Sequence, residues 1–222
     1  MEKKLKGSNV LITAGPVWVP IDKVRILTNI FGGKLGYVIA KKAQENGLNV
    51  TLIMGPGKID LPDSKKNLKI INFKYYDQIY QILKKKISSK KFDIIIHSCA
   101  IPDYVPKAIF NGKIKSGKKE LIIKLKPTIK IVDQIKKWDP DIFLVKFKLE
   151  VDKTKNKLIN IAYKSLLESK AELIVANEFN DIKKNHKAYI IDKNKNIITC
   201  YNKIDIAKKL FNKIIKINTS KK

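Results

Sequence analysis

Val10-Leu11-Ile12-Thr13-Ala14-Gly15-Pro16 reads as a buried β-strand running out into a turn. Val, Ile and Thr favour a pleated backbone. An apolar run without alternation means cover on both faces, as in a parallel sheet. Gly15 and Pro16 end the run. A glycine-containing turn at the carboxyl end of a strand is where open α/β sheets bind ligands, although such a glycine can also be no more than a turn.

Outward from that strand the periodicity alternates. Residues 34–46 place Leu35, Val38, Ile39 and Ala43 at helical spacing, and Gly47 stops the helix. Residues 50–54 and 68–73 read as strands, residues 79–87 as a helix and residues 92–96 as a further buried strand. Strands alternating with helices predict a mostly parallel α/β sheet with helices on both faces. Residues 99–119 hold Pro102, Pro106, Gly112 and Gly117 and read as one long loop with turns. After it come a short strand at 121–125, a core strand at 142–147, a helix at 158–169 and a strand at 173–176. Residues 189–191 and 197–199 read as a hairpin, and 204–217 as a closing amphipathic helix. No repeat or linker interrupts the pattern, so residues 1–222 read as a single domain.

The chain has 222 residues, 44% of them hydrophobic, enough for one domain with a sizeable core. It has no apolar run of about 18 residues, so no membrane span is expected. Residues 1–8 are charged and lack the apolar stretch of a secretory signal. Two cysteines are too few for a disulfide framework, so a cytoplasmic location is expected.

The net charge of +27 raises nucleic-acid binding. Yet of the 47 basic residues only Arg25 is an arginine, and the lysines are spread along the whole chain. Lys, Ile and Asn share AT-rich codons, so the composition reads as genome bias. Aromatic stacking platforms interleaved with basic residues are missing from the sequence. No specific nucleic-acid partner is expected.

Chemistry gathers between Val24 and Gly36, in Val24-Arg25-Ile26-Leu27-Thr28-Asn29-Ile30-Phe31-Gly32-Gly33-Lys34-Leu35-Gly36. Glycines at a helix start let backbone N–H groups approach a phosphate at the positive end of the helix dipole. Tight helix–strand packing explains them equally well. Neither a G-x-G-x-x-G fingerprint nor a P-loop is present, so hydride transfer is unsupported. Arg25 offers a planar fork for carboxylate or phosphate that lysine cannot copy, unless it is a chance survivor. His97 reads as a satisfied strand-end histidine and Cys99 as a small buried residue without metal-ligand spacing.

The blocks Leu11-Ile12-Thr13-Ala14-Gly15-Pro16, Pro20-Ile21-Asp22, Val24 to Asn29 and Gly33-Lys34-Leu35-Gly36 resemble the N-terminal signature of phosphopantothenate–cysteine ligases. Ala100-Ile101-Pro102-Asp103-Tyr104, Lys113-Ile114-Lys115, Phe147-Lys148-Leu149-Glu150 and Leu173-Ile174-Val175-Ala176-Asn177-Glu178 resemble its later blocks, in order. The resemblance implies a Rossmann-like sheet with a mobile flap, a C-terminal hairpin and helix, and a homodimer whose sites draw on both copies. It implies ligation of 4′-phosphopantothenate to cysteine through an acyl-cytidylate, with CTP (ATP in some relatives) as co-substrate and Mg²⁺ assisting. No flavin-dependent decarboxylase domain is seen upstream, so the stand-alone type is expected.

By the same resemblance, Lys113 and Asn29 are the catalytic candidates, with Lys113 closing over the triphosphate on its loop. Arg25, Asn29 and Ala100 would bind phosphopantothenate or the intermediate. Gly15, Gly33, Cys99, Asp103, Lys113, Lys130, Phe147 and Lys164 would bind the nucleotide. Alternatives stand beside these readings: Lys113 as a solvated lysine, Asp103 as a turn cap, Phe147 as core packing. The sequence also departs from the family pattern. Phe31 and Gly32 replace two serines, Pro102 an alanine, Lys146 a glycine and Glu178 an aspartate, and Ile129 stands where a proline is usual. A decayed, non-catalytic relative is the competing reading.

Overall fold

In the computed structural model, which describes residues 5–57, 59 and 67–219, the Val10 strand lies inside an eight-stranded sheet. The elements run β1 (Asn9–Ala14), β2 (Val19–Pro20), β3 (Ile26–Leu27), α1 (Lys34–Glu45), β4 (Asn49–Met54), β5 (Leu68–Asn72), α2 (Tyr76–Ser88), β6 (Ile94–His97) and β7 (Tyr104–Pro106). They continue β8 (Leu125–Pro127), α3 (Val132–Trp138), β9 (Phe143–Glu150), α4 (Lys155–Glu168), β10 (Leu173–Glu178), α5 (Phe179–Lys184), β11 (Ala188–Asp192), β12 (Ile197–Cys200) and α6 (Lys203–Thr219). Residues 1–4 of the N-terminal stretch read above lie outside the described residues.

The sheet order is β12-β11-β10-β9-β6-β1-β4-β5. Strands β5 to β10 in that order pair in parallel, and the β11–β12 hairpin adds an antiparallel edge. Side chains alternate as the pleat requires. Val10, Ile12 and Ala14 pack with Ile39, Ala43, Leu210 and Phe211 under α1 and α6. Leu11 packs on the other face with Leu83, Ile87, Ile135 and Leu166 under α2, α3 and α4. Both faces are therefore covered, as the unbroken apolar strands predict.

Several local expectations need correction. The strand expected at 121–125 is absent there; β8 starts at Leu125 and runs to Pro127. Its partner is β7, with Val105 opposite Lys126, so the ladder lies off the main sheet and all of β8 is exposed. The region 99–119 is correspondingly not all loop, since β7 lies within it. Helices α3 and α5 had not been expected: α3 has only seven residues, and α5 depends on a cap rather than on apolar periodicity. Glu178 is that cap, accepting the backbone N–H groups of Asn180 at 2.7 Å and Asp181 at 3.1 Å. Burial opposes its charge, but the N–H groups of Asp181, Asp152 and Asn180 prevail and hold the carboxyl below its usual range.

Candidate active site

The chain order reverses between β1 and β6. From β1 the sheet grows outward through β4 and β5; from β6 it grows the other way through β9 and β10. At such a switch the loops leaving the two strands diverge and a crevice opens at their carboxyl ends. A cleft of about 610 Å³ lies there, and Gly15, Asn29, Gly33, Cys99, Ala100, Asp103 and Phe147 all line it. A second cleft of about 330 Å³ shares Cys99, Asp103 and Phe147 with the first and adds Lys130, His97 and Lys146.

Hydrogen bonds lace the two strand ends together. Ala100 N–H donates to the Gly15 carbonyl at 3.0 Å. The Cys99 thiol lies 3.0 Å from the same oxygen, and burial pushes its pKa up, so it stays a thiol rather than a nucleophile. Asn29 Nδ2 donates to the Ala100 carbonyl at 3.1 Å, which joins two of the predicted substrate residues directly.

The packing reading of the glycines holds at two positions. Gly33 precedes α1 in the left-handed region, φ 85°, and a Cβ there would lie 2.7 Å from Gly15 N. A Cβ on Gly36 would collide with the Ala14 side chain and Ser98 Oγ. These two positions are fixed by close approach, whereas Gly32 has open space around it. No side chain caps α1 at Gly33, and Gly33, Lys34, Leu35 and Gly36 line the large cleft, so its first turn presents the helix's positive end there.

Arg25 and Lys113 lie elsewhere, among the residues of neither cleft. Arg25 Nη1 donates to Oδ2 of the buried Asp22 carboxylate and lies 3.4 Å from the Ile114 carbonyl. Asp22 also accepts N–H groups from Ile114 at 3.0 Å, Val24 at 2.8 Å and Arg25 at 2.7 Å. The Ile114 bond is the main reason its pKa is lowered. Lys113 itself is exposed, on a loop held down by its neighbour Ile114. Lys164 is not brought to either cleft; its side chain is 80% exposed on α4 and sits 4.0 Å from Glu168.

His97 is buried with Nδ1 3.0 Å from Thr13 Oγ1. Burial, and then the charge of Lys146, lowers its pKa to about 4, so it is neutral at physiological pH. Lys146 is buried too, with Nζ 3.0 Å from the Ser165 carbonyl, 2.9 Å from Ser165 Oγ and 3.1 Å from Ser169 Oγ. The departure from the family's glycine thus places an ammonium on the wall of the smaller cleft. Phe31, replacing a serine, meets Phe179 edge to face at 6.3 Å.

Sequence reasoning missed the role of Asp22, and missed His186 and Lys203. The first had a signal, an acid three residues before the sole arginine. The others converge only through the sheet order.

Comparison with known proteins gives concordant results. Residues 5–217 match the family described as the DNA/pantothenate metabolism flavoprotein C-terminal domain. The chain is 35% identical over 175 residues to the coenzyme A biosynthesis bifunctional protein CoaBC of Thermococcus kodakarensis, covering 79% of this chain and 42% of that protein. It therefore spans less than half of that relative's length. The crystal structure of the DNA/pantothenate metabolism flavoprotein from Streptococcus pneumoniae matches with a TM-score of 0.86 at 30% identity, covering 95% of this chain and all of that one. The C-terminal domain of CoaBC matches with a TM-score of 0.80 at 26% identity, covering 97% of this chain and 98% of that one.

Proposed function

The chain belongs to the family of DNA/pantothenate metabolism flavoprotein C-terminal domains, and on that premise we propose that it joins 4′-phosphopantothenate to L-cysteine in coenzyme A biosynthesis, with CTP as co-substrate. The pantothenate carboxylate attacks the α-phosphorus of CTP and expels pyrophosphate. The cysteine amine then attacks the acyl carbon of the acyl-cytidylate and expels CMP.

One observation carries this reading: Gly15, Asn29, Gly33, Ala100, Asp103 and Phe147, from blocks scattered over the chain, line a single cleft at the sheet's switch point. Charge builds on phosphate and acyl oxygens during both steps, and preorganised donors and cations stabilise it. Asn29 holds the intermediate through its amide while Ala100 positions it. The first turn of α1 and Gly15 take nucleotide phosphate. Phe147 offers its face to the base, and Lys113 and Lys130 supply charge to the triphosphate. Among the described residues no group of three or more His, Cys, Asp or Glu side chains could hold a metal by itself. Mg²⁺ keeps most of its shell as water and substrate phosphate, so it would arrive with the nucleotide, with Asp103 at the junction of the clefts as its protein carboxylate.

Arg25 and Lys113 outside the clefts support a homodimer, in which this corner of one copy serves the site of the other. Val24, 66% exposed, and Ile30, 79% exposed, give that surface an apolar character. No described helix is long and apolar enough to cross a membrane. The reading is tested by mass spectrometry of the product formed from CTP, 4′-phosphopantothenate and cysteine: phosphopantothenoylcysteine is expected, and unchanged substrates with folded protein would reject it.

A further inference from the structure

Phe31 and Phe179 reach each other from opposite sides of the switch point. The segment carrying Phe31 leads into α1 and is seated at the end of β1, where a Cβ on Gly33 would lie 2.7 Å from Gly15 N. Phe179 is the first residue of α5 and follows β10 directly. In the sheet, β9 and β6 lie between β10 and β1. Strand spacing alone sets β1 and β10 about 14 Å apart. The two rings close that span, with centroids 6.3 Å apart and planes at 83°. This is an edge-to-face arrangement that aromatic pairs prefer.

Both segments are anchored beside the contact. Asn29 donates to the Ala100 carbonyl at 3.1 Å, just past the exit of β6. Glu178 caps α5 and also accepts the Asp152 N–H at 2.9 Å, which ties α5 to the turn after β9. The ring pair therefore bridges over the ends of β6 and β9. Ala100 and Phe147, from those two ends, line the larger cleft together with Phe31. Leu35, Leu149 and Ile182 line it too, so much of what the pair covers is apolar. Phe31 stands where the family pattern has a serine, and a serine side chain is too short to make this bridge.

We propose that Phe31 and Phe179 form a clasp over the larger cleft that keeps water from the acyl-cytidylate, which makes them positioning residues that set the choice between cysteine and water as acceptor. The inference rests on the ligase reading. The cysteine amine attacks the acyl carbon of the mixed anhydride, the bond from that carbon to the phosphate oxygen breaks, and CMP leaves. Water attacking the same carbon breaks the same bond. CMP leaves again, a proton passes to solvent, and 4′-phosphopantothenate is regenerated with one nucleotide consumed. A site that excludes water suppresses this side reaction. An aromatic pair favours the closed arrangement by only roughly two- to tenfold, so the clasp still opens to admit substrates.

Pyrophosphate release without cysteine, set against release with cysteine, tests the clasp. With CTP, Mg²⁺ and 4′-phosphopantothenate alone, the wild type should slow sharply after one turnover. Phe31→Ser and Phe179→Ala should raise the continuing rate without cysteine by roughly two- to tenfold relative to the rate with it. The double variant should gain no more than either single one, because one contact is lost in all three. Phe31→Tyr keeps the ring and should keep the wild-type ratio. Hydrogen exchange at residues 98–101 should quicken in Phe31→Ser and Phe179→Ala alike. If Phe179→Ala does not fold, Phe31→Ser carries the same comparison. An unchanged ratio in the folded variants, or single effects that multiply in the double variant, would overturn the shielding. A wild type that releases no pyrophosphate with CTP or ATP removes the ligase reading and the intermediate to be shielded. Hydrogen exchange then still decides the clasp, and unchanged exchange in both variants would remove it.

Discussion

The buried carboxylate of Asp22 accepts the backbone N–H of Ile114 at 3.0 Å, across 92 positions of sequence. This bond ties the loop that carries Lys113 to the segment that carries Arg25. Asp22→Ala should lower the melting temperature and speed hydrogen exchange at the Ile114 amide, while amides of β1 keep their relative protection. The lowered pKa fixes the sign of the acid response: the stabilisation is complete above the unfolded carboxyl range and is lost as pH falls below it. Loss of stability on acidification below about pH 4 should therefore be shallower in the variant. An unchanged Ile114 exchange rate would mean that the bond does not hold the loop.

Gly36 and Gly32 separate packing from phosphate contact. Gly36→Ala pushes a methyl group into Ala14 and Ser98 Oγ and should destabilise the fold by about 1–3 kcal/mol. Gly32→Ala meets nothing and should change stability by less than about 0.5 kcal/mol. Urea titrations measure both; equal effects would refute the packing account of Gly36.

The two histidines are the protein's only ones, and both have pKa values lowered to about 4. The unfolded chain binds their protons below about pH 6.5 while the folded chain does not. Stability should thus be fully present above that pH and decline between about pH 6.5 and 4, by up to roughly 1.4 kcal/mol per pH unit for each histidine. NMR titration of His97 in Lys146→Met should show its pKa rising yet staying below the ordinary value, because burial is the larger cause. A stability profile flat across that interval would contradict the buried neutral rings.

The core strands were legible because apolar β-branched runs covered on both faces have little else to become; β1, β4, β6 and β10 follow from their side chains alone. The site's blocks were legible through their resemblance to a family, not through physics. What stayed hidden depends on tertiary placement. β8 is exposed and has no apolar signature, and α5 is started by the carboxylate of Glu178. Lys203 looks like any other lysine in a chain carrying 47 basic residues until α6 brings it to Lys34. Arg25 was singled out as unusual; its Nη1 is engaged by Asp22.

Light scattering should give twice the 25.4 kDa mass of the chain at micromolar concentration. Val24→Glu puts a charge on the apolar surface beside Arg25 and should shift the protein to monomer with reduced ligation. A monomeric wild type with full activity would exclude a shared site.

Asn29→Asp places a carboxylate where phosphate and acyl oxygens gather and loses the donor to Ala100. It should slow turnover by about 1–3 kcal/mol of transition-state stabilisation, beyond the modest fall in melting temperature that loss of the Ala100 bond brings. Wild-type kinetics in the folded variant would remove Asn29 from the site.

The central claim is nucleotide-dependent activation of a carboxylate in the cleft between β1 and β6. It is tested most directly by measuring pyrophosphate from the purified protein with CTP, Mg²⁺ and 4′-phosphopantothenate in the absence of cysteine. A burst of pyrophosphate comparable to the number of sites, becoming continuous when cysteine is added, is the predicted result. No pyrophosphate from the folded protein with either CTP or ATP would contradict it.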